Sequence, residues 1–183
     1  ERGVRSVTIN VFETVFNDSR TRTVDTRAFL FATWEREVRP GWGLRARLAY
    51  DRTSEYGTYI YPGETEADPS VVNIDDFLGQ SVTGEAQVRH TLAGRHELTG
   101  GVQLRQSLDA NQKNSDVAPA FTYLDDRRSG LEAAAYLQDE VQASRLLRLN
   151  VGVRYDHSYA SASAISPRVG LIATQWARHL GAV

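Results

Sequence analysis

The sequence predicts an all-β chain: about eight antiparallel, up-and-down strands of the kind that cross a membrane as part of a β-barrel. Three observations predict it. Apolar and polar residues alternate with a period of two in segment after segment. The connections between those segments are short and long in turn. Aromatic residues stand near both ends of the apolar stretches.

The alternation is clearest over Trp42–Asp51, where Trp42, Leu44, Ala46, Leu48 and Tyr50 interleave with Gly43, Arg45, Arg47, Ala49 and Asp51. Successive side chains of a strand face opposite sides, so one face is apolar and the other charged. Ser81–Leu92 sets Val82, Gly84, Ala86, Val88 and Leu92 against Glu85, Gln87 and Arg89. Glu97–Leu108 sets Leu98, Gly100, Val102 and Leu104 against Glu97, Thr99, Gln103 and Arg105. Leu147–Asp156 sets Leu147, Leu149, Val151, Val153 and Tyr155 against Arg148, Asn150, Arg154 and Asp156. Val4–Phe16, Arg27–Arg36, Leu131–Gln142 and Ser166–Thr174 repeat the pattern more weakly. The expected strands run to roughly 9–13 residues, longer than the ~5–6 usual in globular proteins.

Tight turns are expected at Val38–Gly41, Ala93–Arg95 and Ala143–Leu146. Longer polar connections are expected at Asn17–Val24, Tyr56–Gln80, Asp109–Gly130 and His157–Ile165. That sorting matches the short periplasmic turns and long outer loops of outer-membrane barrels, and a soluble meander has no reason to adopt it. Trp42 follows a tight turn and Tyr50 stands near a long connection. Eight residues at ~3.3 Å each, tilted by about 40°, give roughly 20 Å of height, near the apolar band of such a barrel. The competing fold is a half-buried soluble sheet such as a lipocalin-like barrel, which has no need of matched aromatic girdles.

Composition bounds the function. The 183 residues carry a formal charge of -2, so no strong field draws the chain to nucleic acid. Lys113 is the only lysine among the cations. Absence of cysteine removes disulfides and thiolate metal sites, and no HExxH, GxSxG or phosphate-binding glycine loop occurs. His90, His96, His157 and His179 are scattered. We therefore expect no enzyme, no cofactor and no metal site. No apolar run reaches the ~18–20 residues of a membrane helix, which leaves strands as the crossing element.

Over Ala135–Thr174 the chain reads AYLQDEVQASRLLRLNVGVRYDHSYASASAISPRVGLIAT. This resembles the barrel of TonB-dependent receptors through Tyr136, Gln138, Asp139, Glu140, Leu149, Asn150, Gly152, Arg154, Tyr155, Asp156, Pro167, Arg168 and Gly170. VDTRAFLFATWE and FTYLDDRRS upstream are similar, less distinctively. The resemblance implies a 22-strand outer-membrane barrel filled by a plug domain and coupled through TonB to the inner-membrane proton gradient. It implies uptake of a siderophore, cobalamin or similar scarce small molecule, such as a metal chelate. With no plug and no TonB box in the stretch, residues 1–183 are expected to be a partial barrel domain, an open fragment in contact with outer-membrane lipid. Two other functions stand beside this one: a complete eight-stranded barrel that anchors or adheres, and an outer-membrane hydrolase.

Two sets of candidate residues follow. Arg45, Arg47, Glu85, Arg89, Glu97, Gln103, Arg105, Arg148, Arg154 and Arg168 share the expected lumen side. They form either a polar wall facing plug and ligand or a ladder of cross-strand ion pairs, which the arginine guanidinium suits. Tyr56, Tyr59, Tyr61, Asp75 and Asp76 lie in the longest expected loop and are candidates for ligand contact. Asp125, Asp126, Arg127 and Arg128 are expected to pair at a loop base. Asp139 falls with Leu137 and Val141 on the lipid face, unless a β-bulge turns it inward. His90 breaks the pattern in the same way.

Overall fold

A computed structural model describes residues 2–6, 13–65 and 67–173. Eight strands follow one another: β1 (Arg2–Ser6), β2 (Arg22–Arg39), β3 (Trp42–Tyr61), β4 (Val71–Leu92), β5 (His96–Asp116), β6 (Phe121–Gln142), β7 (Leu147–His157) and β8 (Ala164–Ala173). They form one sheet in sequence order, each strand bonded to the next. The order ends at β1 and β8, so among the described residues the sheet does not close as a complete eight-stranded barrel would.

The three expected tight turns are present. Pro40–Gly41 joins β2 to β3, with Gly41 at φ 77°. Residues 93–95 join β4 to β5 through Ala93 at φ 51° and Gly94 at φ 65°. Those left-handed backbones favour glycine at 41 and 94. Residues 143–146 join β6 to β7, closed by bonds between Ser144 and Leu147 of 3.1 and 3.4 Å.

The expected strands were too short and the long loops too long. β2 to β6 run for 18 to 22 residues. Most of the expected loops at 56–80 and 109–130 is therefore strand, leaving connections of residues 62–70 and 117–120. Backbone pairing continues there although polar and apolar residues mix on both faces, so alternation no longer marks it. Within the expected strand Val4–Phe16 the described residues Val4–Ser6 are strand, part of Arg2–Ser6, which pairs antiparallel with Arg22–Thr26. Residues 7–12 and 174 lie outside the described residues. Glu13–Phe16 is turn instead, with Glu13 at φ 64° and Asn17 just beyond it at φ 56°, both incompatible with an extended strand.

The chain divides into two compact units: Glu1–Leu30, Tyr50–Val82 and Gln106–Gly130 form the first, and Phe31–Ala49, Thr83–Arg105 and Leu131–Val183 the second. In the first, Ile60 is the one buried large apolar residue among those described. Its amide is bonded by Thr21 Oγ1 at 3.2 Å, and its carbonyl accepts from Val15 N at 2.7 Å.

In the second unit the register fixes the faces. Tyr136 stands opposite Arg154, which faces Ser166; Gln138 stands opposite Gly152, which faces Arg168. On the other face, Leu137–Val153–Pro167 and Val141–Leu149–Leu171 form apolar rows. Most of these apolar side chains are uncovered: Leu137 is 56% exposed, Val153 47% and Leu171 66%, while Val141 and Leu149 are half-buried. A soluble half-buried sheet would cover such a face, whereas a lipid-facing sheet leaves it open.

The register also places Asp139. It runs without interruption from Ala133 to Gln142, so no bulge turns Asp139 inward, and the residue stands opposite Val151 on the apolar face. His96 Nδ1 lies 2.8 Å from its Oδ2. His90 is on the apolar face as well, stacked on Trp42 at 4.0 Å with Nδ1 3.0 Å from the Gly41 carbonyl.

Candidate functional site

The five tyrosine and aspartate candidates all lie in the first unit, on strands rather than in a loop: Tyr56, Tyr59 and Tyr61 on β3, Asp75 and Asp76 on β4. The structure divides them. Tyr56 and Asp76 line a cavity of about 380 Å³ together with Arg52, Glu55, Lys113 and Asp125. Tyr61 lines a second recess of about 330 Å³ with Asn73, Asn114, Asp116 and Tyr123. Tyr59 Oη instead lies 3.5 Å from Thr23 Oγ1, and its ring covers Gly57.

The first cavity mixes charges of both signs. Arg127 within it is held by Asp125 at 3.2 Å, and Arg128 beside it by Asp126 at 2.8 Å. Both pairs sit within β6 and not at a loop base as expected; the members of each are two residues apart on one face, and the two pairs lie on opposite faces. Such a lining offers cations, carboxylates and one aromatic ring to a polar ligand.

The second recess is a hydrogen-bonded amide cluster. Asn73, 5% exposed, exchanges bonds with Asn114 at 3.1 and 3.0 Å. Asn73 also donates to Asp116 Oδ1 at 2.8 Å, and Tyr123 Oη donates to Oδ2 at 2.6 Å. That bond to Asp116 raises the Tyr123 phenol above its ordinary value. Burial first, then Tyr59, does the same to Tyr61. Satisfied buried amides hold the strand ends in one arrangement. Sequence reasoning missed Asn73, Asn114 and Asp116, since nothing in their spacing announces that they meet.

In the second unit the wall candidates are brought together by pairs. Arg148 meets Glu140 at 3.0 Å, Arg105 meets Glu132 at 3.6 Å and Arg89 meets Glu97 at 3.8 Å. Arg154 donates to Gln103 at 3.0 Å and to Asp156 at 2.8 Å, while Tyr136 donates to Glu85 at 3.0 Å. Arg47 lies 5.7 Å from the Phe31 ring centre. Arg154 and Arg168 line an open recess of about 600 Å³ with Glu85, Tyr136 and Gln138 over Gly152. Arg45 is itself among the residues lining the mainly apolar groove of Leu44 and Ala46, as is Gln87.

Among the described residues no group of three or more His, Asp or Glu side chains is arranged to hold a metal ion. Among the described residues no helix is long and apolar enough to cross a membrane, which says nothing about crossing by strands.

A family model described as TonB dependent receptor-like, beta-barrel matches residues 5–178. No curated protein matches the chain.

Proposed function

Because the chain belongs to the TonB-dependent receptor β-barrel family, a family of outer-membrane transporters, we propose that it forms part of the barrel wall of a receptor taking up a siderophore or similar scarce ligand. One observation carries the reading beyond the family itself. In the second unit, one face of the sheet is apolar and uncovered, and the other is a paired lattice of arginine, carboxylate and amide. That is the division a transmembrane barrel needs between lipid and a polar lumen. The arginine-bearing face would meet the plug domain, and TonB would act through that plug.

The cavity of Tyr56 and Asp76 is the proposed ligand contact, with Arg52 and Lys113 supplying cations for an anionic chelate. Cells lacking the full-length receptor, kept short of iron, would be offered radiolabelled ferric hydroxamates, ferric catecholates and cobalamin. Uptake of one of these should be restored by the receptor and abolished when TonB is deleted. Restored uptake that persists without TonB, or no uptake of any probe, would count against the proposal.

A further inference from the structure

We propose that the apolar face of the second unit carries a site for one glycerophospholipid, its acyl chain in a groove between Trp34 and Val102 and its phosphate on Arg39. The inference rests on the barrel reading above. The groove, about 470 Å³, is walled by Trp34, Leu44, Val88 and Val102. Its floor is low because Ala46, Ala86 and Gly100 carry little or no side chain. A flat sheet face offers lipid no preferred position; a walled groove does, because a chain lying in it contacts side chains on both flanks.

What identifies the occupant stands at the turn end of the same face. Trp42 precedes Leu44 by two residues and His90 follows Val88 by two, so both lie roughly 7 Å further along their strands. Trp42 and His90 are stacked at 4.0 Å, and the Arg39 guanidinium lies 4.6 Å over the Trp42 ring. Arg39 forms no ion pair among the described residues, so its charge is open to a phosphate. An apolar channel ending at an interfacial tryptophan and an open guanidinium has the layout of an amphiphile with an anionic head. The turns joining these strands are the short ones, which in such barrels lie on the periplasmic side, where the leaflet is phospholipid.

The full-length receptor, extracted in mild detergent and stripped of bulk lipid, would be examined by native mass spectrometry with added phosphatidylglycerol. We expect one retained phospholipid on the wild type. Arg39→Gln should lower its occupancy several-fold. Ala86→Phe and Gly100→Leu, which fill the groove floor, should abolish it. Gly100 has room for a Cβ, with the nearest atom, Leu137 Cδ1, at 3.6 Å, so Gly100→Ala, which raises the floor by one methyl and should lower the occupancy, tests the site even where the larger substitutions fail to fold. Equal retention by the wild type and Arg39→Gln, or no retention at all, overturns the proposal. So does a wild-type dimer that Gly100→Leu dissolves, since the groove would then seat a second copy. Fractionation separates the two levels: a receptor that stays in the outer membrane yet retains no lipid defeats only the lipid site. A chain absent from that membrane defeats the barrel reading itself.

Discussion

Tyr136 lies across Gly101: any Cβ placed on Gly101 would collide with the tyrosine ring. The ring hydroxyl donates to Glu85 at 3.0 Å, and the Arg154 guanidinium stands 5.9 Å from the ring centre. One side chain on β6 thereby reaches β4 and β7 across the glycine of β5. A glycine inside a strand weakens it unless something covers the bare backbone, and here an aromatic neighbour does so.

Gly101→Ala is accordingly expected to displace Tyr136 and destabilise the receptor by about 1–3 kcal/mol, the usual cost of overpacking. Tyr136→Phe, which only removes the bond to the Glu85 carboxylate, should cost about 1.5–3 kcal/mol, the range for a hydrogen bond to a charged group. Denaturant midpoints of the full-length receptor in lipid vesicles read both. A wild-type midpoint for Gly101→Ala would mean that Tyr136 does not depend on the glycine.

Arg148 and Glu140, on neighbouring strands, meet at 3.0 Å with both side chains partly exposed. Their coupling in a double-mutant cycle, Arg148→Gln with Glu140→Gln, should be about 0.2–1 kcal/mol. It should shrink as salt is added. A coupling above that range, insensitive to salt, would show a pair far more desolvated than the geometry gives.

The second unit was legible in the sequence because burial there has one rule. Leu44, Ala46, Ala86 and Val88 face one way, Arg45, Arg47, Glu85 and Arg89 the other, and counting by twos finds both. The first unit was not, for two physical reasons. Polar residues such as Asp75, Asp76, Asn111 and Gln112 occupy both faces, so no one-sided apolar stripe marks the pairing. The parity of the pairing also changes: Arg89 meets Glu97, odd with odd, whereas Asn73 meets Asn114 and Gln80 meets Asp109, odd with even. Counting onward from Arg89 and Glu97 therefore puts Asn73 and Asn114 on opposite faces. The His96–Asp139 pair is a related case: a carboxylate on an apolar face reads as an error until its partner, distant in sequence, is known.

The phenols of Tyr61 and Tyr123 should titrate above the ordinary tyrosine value of 10.0, through burial for Tyr61 and the bond to Asp116 for Tyr123. A raised folded pKa stabilises the protonated form. This contribution is full below the unfolded value and is lost as pH rises through the folded one. Phenolate absorbance, compared between wild type and Tyr123→Phe, isolates the Tyr123 step. Asp116→Asn should bring that step down; an unmoved step would mean that Asp116 is not its cause.

Asp18 behaves in the opposite sense. Arg20 bonds it through both side chain and backbone, at 2.6 to 3.2 Å, and holds the carboxyl at about 2 against an ordinary 3.8. A depressed folded pKa gives stability that is present above the unfolded value and lost as pH falls through the folded one. The Asp18–Arg20 turn should therefore hold at pH 4 and loosen towards about pH 2. Arg20→Gln should move the loosening to higher pH, read by a spin label at Ser19. A label equally mobile in both proteins across that range would show that the pair does not order the turn.

Lys113 gives the sharpest test of the ligand cavity, because it is the only lysine in these 183 residues and it lines the cavity with Tyr56 and Asp76. An amine-selective reagent should therefore modify one internal site in this region, which peptide mapping of the full-length receptor can follow. If the cavity is the ligand contact, the transported ferric chelate or cobalamin should slow modification of Lys113 while leaving lysines outside the region unchanged. Tyr56→Ala should abolish that protection and weaken uptake by roughly tenfold, the effect of about 1.4 kcal/mol of lost binding. Its ring lies 47% exposed, so the loss should leave the denaturant midpoint within about 0.5 kcal/mol of wild type. Asp76→Asn separates charge from shape: it should weaken a ligand that presents a cation and improve one that is wholly anionic. Lys113 modified at the same rate with and without saturating ligand would remove the cavity from the transport path, while leaving the family assignment untouched.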